Sequence, residues 1–501
     1  MVGAEGAGGD AKPALAQRPP RAMPAPPATP RDAPMHMKPP ATQPSLSLTE
    51  ALSSARETRA LVVGRGVVRE TARVFAQHFP GHQAVVVADQ NTLPVAGQPV
   101  LAALRAAGLA VVEPFVFTDP GLYAEFRFVA QLEAALRRHE AIPIAVGSGT
   151  INDLVKLAAH RTGRPSYLCV ATAASMDGYT AFGASITFEG AKQTFNCPAP
   201  RAVVADLDII RRAPPAMTAA GYADLLAKVP AGADWILADA LGVEPIDPRA
   251  WAIVQGGLRA ALADPAGARA GRTSAIAPLV EGLMLGGFAM QWAQSSRPAS
   301  GAEHQFSHLW DMEHHTHEGV APSHGFKVGI ATLAVTALYE ELLRRGIDDL
   351  DPLRRGANWP DAAATEARVR RMFASDDFTG RAVEETKAKQ VTPAELCRQL
   401  QRLQTVWPEL KTRLAAQLVP SAELKRRLQL VGAPTAPEEI GISRLRLRNS
   451  FLRAYYIRRR FTVLDLAVRT GWLEELLDGM FGPSGIWAID PAGKNPLTGD
   501  K

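Results

Sequence analysis

Cysteine is nearly absent: three residues in 501, Cys169, Cys197 and Cys397. They are too few and too scattered for a disulfide framework or a thiolate metal site, and they read as reduced, structural thiols. Long apolar runs are missing as well. No uninterrupted stretch approaches the roughly 18–20 residues that span a bilayer, and the start lacks the charged-then-apolar order of a secretory signal. A cytoplasmic protein without membrane insertion is expected. Charge of one sign is also in short supply, since 55 basic against 50 acidic side chains leave a formal +5. So mild an excess gives little footing for a nucleic-acid partner, whereas a small anionic substrate fits it.

What is present is ordinary for a globular protein, 47% apolar and 21% charged residues. The chain is longer than one hydrophobic core usually organises, so two domains are expected. Residues 1–46 hold eleven of the thirty-nine prolines and show no apolar periodicity. Such a segment cannot offset its ordering entropy and is expected as a disordered Pro/Ala-rich tail. From Ala60 onward, short apolar runs alternate with helical patterns. ALVVGRG, QAVVVADQN, GLAVVEPFVF, IPIAVGSGT, SYLCVATAAS and RAVVADLD predict buried strands, while TARVFAQHF, VAGQPVLAALRAAG, YAEFRFVAQLEAALRRH and INDLVKLAAHRTG predict helices between them. This alternation implies a Rossmann-like α/β domain with a mainly parallel sheet over 47–208. Beyond Asp208 only helix-spaced apolar residues follow, which predicts an all-α domain over 209–480 and a C-terminal tail over 481–501. Seven arginines lie between Arg444 and Arg460, yet Leu, Phe and Tyr interleave with them at helical spacing. A solvated or subunit-facing helix is expected there rather than a phosphate patch.

Two loops carry candidate chemistry. AIPIAVGSGTINDLVK sets Gly147, Ser148 and Gly149 between a strand and a helix, with Thr150 and Asp153 in the first turn. Glycines let backbone approach a ligand closely, and the N–H groups and dipole of the helix start favour a pyrophosphate. The spacing matches neither the GxGxxG fingerprint nor the P-loop, so a purely structural turn is an equal reading. VATAASMDGYTAFG then supplies Thr172, Ser175 and Asp177 after the next strand. Upstream, Asp89 ends the strand VVVAD, where a carboxylate hydrogen-bonds a ribose 2′-OH and repels a 2′-phosphate. A turn-forming aspartate is the plainer reading of the same residue.

Six of the eleven histidines fall within residues 301–330: His304, His308, His314, His315, His317 and His324. His304 and His308, four apart, share a helix face as two metal ligands often do. His324 follows Pro322 and is expected to open the next helix. The other three sit in DMEHHTHEG, which reads as an exposed loop. A carboxylate added to two histidines makes a metal site with open positions, and that carboxylate must come from elsewhere in the chain.

VGSGTINDLVK, TAASMDGYT, AGYADLLAK, RPASGAEHQFSH and PSHGFKVGI, in this order and at these separations, resemble the sn-glycerol-1-phosphate dehydrogenases of the iron-containing alcohol dehydrogenase and dehydroquinate synthase-like superfamily. The resemblance runs from about residue 50 to about 470. It implies a dehydroquinate synthase-like fold, NAD or NADP as cofactor, and one divalent metal held by Asp224, His304 and His324. Read from the residues alone, Asp224 pairs with Lys228 at i,i+4 and His304 pairs with His308 on the metal; the resemblance instead gives His308 to the substrate. It places cofactor contacts on Gly147, Ser148, Gly149, Thr150, Asp153, Thr172 and Ser175, and a substrate contact on Asp177. One position departs from the pattern: Ala181 stands where members carry serine four residues after that aspartate.

The activity implied is reversible hydride transfer between a nicotinamide and the central carbon of a three-carbon phosphate, interconverting dihydroxyacetone phosphate and sn-glycerol 1-phosphate. Zinc, nickel and iron(II) all suit two histidines and an aspartate. Lys192 and Lys327, both beside matched motifs, are the nominees for the substrate phosphate, Asp89 favours NAD, and a homodimer is implied. A polyol dehydrogenase, a sugar-phosphate cyclase or a non-catalytic scaffold on the same fold remain alternatives. Cyclases of that kind follow the second-loop aspartate with Gly-Gly-Lys, and DGYTAFGAS lacks it.

Overall fold

β-Branched and alanine-rich runs with no polar face form strands only where both faces can be covered. The computed structural model of the protein describes residues 46–189 and 191–489. Its strands are β1 (Ala60–Gly64), β2 (Ala84–Asp89), β3 (Phe115–Phe117), β4 (Ile142–Gly147), β5 (Leu168–Ala171), β6 (Ala184–Phe188), β7 (Ala191–Phe195) and β8 (Ala202–Asp206). Six of them build one parallel sheet in the order β1-β8-β5-β4-β2-β3. Val86, Ile144, Val146, Val170 and Val204 are fully buried in its core, against Phe75 and Leu104 from the flanking helices. Residues 1–45 of the expected N-terminal tail and 490–501 of the expected C-terminal tail lie outside the described residues. The chain stays packed between them as far as Ile489, with Trp487 buried and the Ile489 N–H bonded to the Phe481 carbonyl.

Two expectations need correction. The run GLAVVEPFVF forms a strand at Phe115–Phe117 and, ahead of Pro114, only a single parallel bridge of Val111 to Ala84. The segment between Asp177 and Cys197 also holds the hairpin β6-β7, antiparallel, with Ser185 opposite Thr194 and Thr187 opposite Lys192. Its runs ASITF and KQTF are short and carry polar residues, so they give little strand signal in the sequence.

Register sets the site. Gly147 is level with Ala171, and Ala171 with Ala205, so the turn after β4 and the loop after β5 emerge side by side from the carboxyl edge of the sheet. Ligands bind at this edge in open α/β sheets. After Asp206 the described chain is helical. The helix Thr273–Ala293 is the one among the described residues long and apolar enough to cross a bilayer, and more than half of it is buried inside the protein.

Two helices and the loop after β5 are then locked together by close backbone approach. A Cβ on Gly221 would fall 2.0 Å from the Ala174 carbonyl oxygen, so the helix Pro215–Leu226 lies directly on the loop after β5. A Cβ on Gly325 would fall 2.0 Å from the Ala220 carbonyl oxygen, so the helix His324–Arg345 crosses Pro215–Leu226 at a point where only glycine fits. Ser323 caps that helix, its Oγ accepting the Phe326 N–H at 3.3 Å, which puts His324 at the first helical position as expected. Gly325→Ala must push the two helices apart. It is expected to destabilise the protein by about 1–3 kcal/mol in urea unfolding and to weaken metal binding with it, since it separates His324 from Asp224.

Candidate metal and active site

Asp224 lies in the last turn of Pro215–Leu226 and is 0% exposed. Its Oδ2 accepts the Asp177 backbone N–H at 3.1 Å, and its Oδ1 accepts from Lys228 Nζ at 2.9 Å. The i,i+4 pair read from sequence is therefore present, but Lys228 does more: its Nζ also lies 2.8 Å from Asp177 Oδ2. One buried ammonium thus holds two carboxylates from separate elements.

His304 sits in the first turn of the helix Ala302–Met312. Its Nδ1 lies 2.8 Å from Glu303 Oε1 and its Nε2 lies 3.6 Å from Asp224 Oδ1, so a proton held on Nδ1 by Glu303 frees Nε2 for an ion shared with Asp224. The His324 ring centroid is 5.3 Å from that of His304, and Ser307 Oγ lies 3.3 Å from its Nδ1. One ligand atom from each of Asp224, His304 and His324 lies within 4.8 Å of the others. His308 stands further off, with ring centroids 6.4 Å from His304, and it is not in that set.

Two of the three groups are held in the form that ligates a metal. Burial would push the Asp224 carboxyl up, but the Lys228 charge and the His304 hydrogen bond outweigh it and hold the group well below the usual carboxylate range. Burial lowers His324 to about 3, so the imidazole is neutral, the form that donates a lone pair to a metal. Burial opposes protonation of His304 too, but hydrogen bonds to Asp224 and Glu303 leave it raised. Asp177 is raised by burial and by the Asp224 charge. His308 falls well below its usual value through burial and then the charge of Arg458. Two imidazoles and a carboxylate on one point fit a divalent ion such as zinc, nickel or iron(II).

The cofactor candidates lie along the sheet edge. No side chain caps the helix Gly149–Arg161, so the N–H groups of its first turn are open to an anion. The Met176 side chain comes within 3.0 Å of the Cβ position of Gly149, and the next residue, Asp177, bonds Asp224. The loop after β5 therefore touches both the glycine turn and the metal set. Thr172 is buried on that loop, its N–H bonded to the Gly147 carbonyl, and Ser175 follows half-buried. Asp153 reaches instead toward the hairpin, accepting the Ser185 N–H at 3.2 Å with Lys156 3.5 Å away. Asp89 Oδ1 accepts the N–H groups of Asn91 and Thr92 and the Thr92 hydroxyl, so the residue does form a turn.

The sequence matches the iron-containing alcohol dehydrogenase family over residues 62–214. It is 35% identical over 277 residues to a glycerol-1-phosphate dehydrogenase (NAD(P)+) of Bacillus subtilis (strain 168), a match covering 54% of this chain and 70% of that protein. The chain belongs to the glycerol-1-phosphate dehydrogenase family. A second relative of the same name, from Halalkalibacterium halodurans, is 37% identical over 266 residues, covering 52% of this chain and 66% of that protein. Among solved structures, glycerol dehydrogenase from Schizosaccharomyces pombe shares the fold, with a TM-score of 0.53 at 16% identity over 88% of this chain and 96% of that one.

Within this family member, several groups of the site were invisible to pattern reading. Glu303 orients His304, and Lys228 bridges two carboxylates. Lys156 donates to the carbonyls of Gly178, Ala181 and Gly183 at 2.9–3.1 Å and so shapes the second loop. Lys327, a nominee for the substrate phosphate, is engaged in a close ion pair with Asp311. Lys192 on β7 adds its charge to the surroundings of His308 and His324. The expected exposed histidine loop is a loop, but His315 is buried, with Ile440 O 2.6 Å from its Nε2 and Arg446 2.8 Å from its Nδ1. His314 is exposed, 3.3 Å from Asp377. The arginine-bearing helix Arg444–Tyr456 spends its charges on acids of its own chain, some of them exposed: Arg444 on Glu438, Arg446 and Arg453 on Glu313, Arg448 on Glu474 and Asp478.

Proposed function

We propose that this chain is a metal-dependent, NAD(P)-linked dehydrogenase interconverting dihydroxyacetone phosphate and sn-glycerol 1-phosphate. The observation that carries the reading is the convergence of Asp224, His304 and His324 within 4.8 Å, joined by one loop to the glycine turn of the sheet edge, in a member of this family. A divalent ion held by those three residues would polarise the ketone oxygen and favour the developing alkoxide. The nicotinamide dinucleotide is assigned to the glycine turn, Gly147 to Thr150, and to the hydroxyls of Thr172 and Ser175. The Asp89 carboxylate favours NAD over NADP by repelling a 2′-phosphate.

The chain's own groups supply orientation and the proton. Reduction of the ketone adds one hydride to the central carbon and one proton to its oxygen. Asp177, raised by burial and bonded to Lys228, and His308, neutral beside the metal set, are the groups in place to carry that proton and to hold the substrate hydroxyl. Lys228 keeps both carboxylates in position while this happens. As part of the same reading the enzyme acts as a homodimer in the cytoplasm.

Chiral analysis of the product tests the assignment. With dihydroxyacetone phosphate and NADH the expected product is sn-glycerol 1-phosphate; formation of the 3-phosphate enantiomer, or turnover restricted to unphosphorylated polyols, would refute it.

A further inference from the structure

A cleft of about 180 Å³ opens beside the metal set, with His304 and His308 on one wall and Arg458, Arg459 and Arg460 on another. It is smaller than the roughly 300–1,000 Å³ of sites for drug-sized ligands, the scale of a compact substrate. The three arginines differ in what they already hold. Arg459 is committed to Glu385, with its Nε and Nη2 each 3.0 Å from a carboxylate oxygen, which cancels the one acid lining the cleft. Arg460 donates to the Ser300 carbonyl and the Ser296 hydroxyl, each at 2.8 Å, and is fixed as part of the wall. Arg458 is half-buried, and its guanidinium makes no hydrogen bond or ion pair among the described residues. Burial lowers it only to about 10, so it is charged at neutral pH.

A partly buried, charged guanidinium without a partner is costly unless an anion completes it. We propose that Arg458 binds the phosphate of the substrate, in the cleft walled by His304 and His308, with Arg460 adding positive charge from the rim. The inference rests on the reading of a phosphorylated three-carbon substrate. It replaces the nominations of Lys327, already paired with Asp311, and of Lys192. It also amends the expectation for the arginine-rich segment: the arginines of the helix pair with acids of the chain, and the three that follow Ile457 line the cleft.

The test compares Arg458→Ala, Arg458→Lys and Lys192→Ala with the wild-type protein in kcat/KM for dihydroxyacetone phosphate and for unphosphorylated dihydroxyacetone. Calorimetric titration with inorganic phosphate and circular-dichroism melting accompany the kinetics. Arg458→Ala is expected to lower kcat/KM for the phosphorylated ketone by about 10–100-fold more than for dihydroxyacetone and to weaken phosphate binding similarly, with the melting curve retained. Arg458→Lys should recover part of the loss, because it restores charge without the bidentate fork. Equal losses on both ketones, unchanged phosphate binding in Arg458→Ala, or a phosphate-selective loss confined to Lys192→Ala would each overturn the assignment. A wild-type protein that ignores dihydroxyacetone phosphate would instead overturn the proposed function and the inference with it.

Discussion

Replacing His304 with alanine is expected to abolish stoichiometric metal binding and to lower kcat/KM for dihydroxyacetone phosphate by about 10³-fold, the scale of several kcal/mol of lost transition-state stabilisation. His308→Ala is expected to behave differently. It should keep one metal per chain and lose about 10–100-fold in kcat/KM, because His308 faces the cleft and stands apart from the three convergent ligand atoms. Elemental analysis of the dialysed, metal-loaded variants separates the two readings of the histidine pair. Metal loss in His308→Ala equal to that in His304→Ala would restore the helix-face pair His304–His308 as the ligands and remove His324. Glu303→Gln belongs in the same series. It leaves all three ligands in place but alters the acceptor that fixes the His304 ring, and a 10–100-fold rise in the metal dissociation constant is the expected cost.

The second large effect concerns Lys228, which is 0% exposed and lies 2.8 and 2.9 Å from carboxylate oxygens of Asp177 and Asp224. Lys228→Met keeps the aliphatic volume and removes the cation. Two buried carboxylates then face each other without their counter-charge, and a loss of about 3–5 kcal/mol in urea unfolding under chelating conditions is expected. Adding Asp177→Asn to that background should return part of the loss, whereas Asp177→Asn alone should destabilise. Coupling of this sign is what a double-mutant cycle reads for groups in direct contact. Additive effects, or a Lys228→Met protein as stable as the wild type, would show that the ammonium is not what holds the two carboxylates.

Sequence reading went furthest where one residue type repeats on a regular period. The parallel strands were legible because β2 (AVVVAD) and β4 (IPIAVG) are apolar on both faces, which only a covered sheet tolerates. The hairpin β6-β7 was not, since its two short runs carry polar residues and bury one face against neighbours distant in sequence. In the site, Asp224, His304 and His324 were reached through the order of five motifs; spacing alone selected His304 with His308, as helix periodicity favours near neighbours. The geometry is decided by Gly221 and Gly325, whose missing side chains let one helix lie on the second loop and another cross it. The roles of Lys228, Glu303 and Arg458 depend on which charges meet after folding. A lysine four residues from an aspartate looks the same in sequence whether it lies in solvent or bridges two carboxylates in the core, and seven arginines look alike until six are found to have partners.

The measurement closest to the central claim is NADH oxidation by the purified, metal-loaded protein, with dihydroxyacetone phosphate and dihydroxyacetone compared side by side and His304→Ala as the control. The account predicts strong preference for the phosphorylated ketone and silence in the control. Equal or greater turnover of dihydroxyacetone, or undiminished activity without His304, would contradict it.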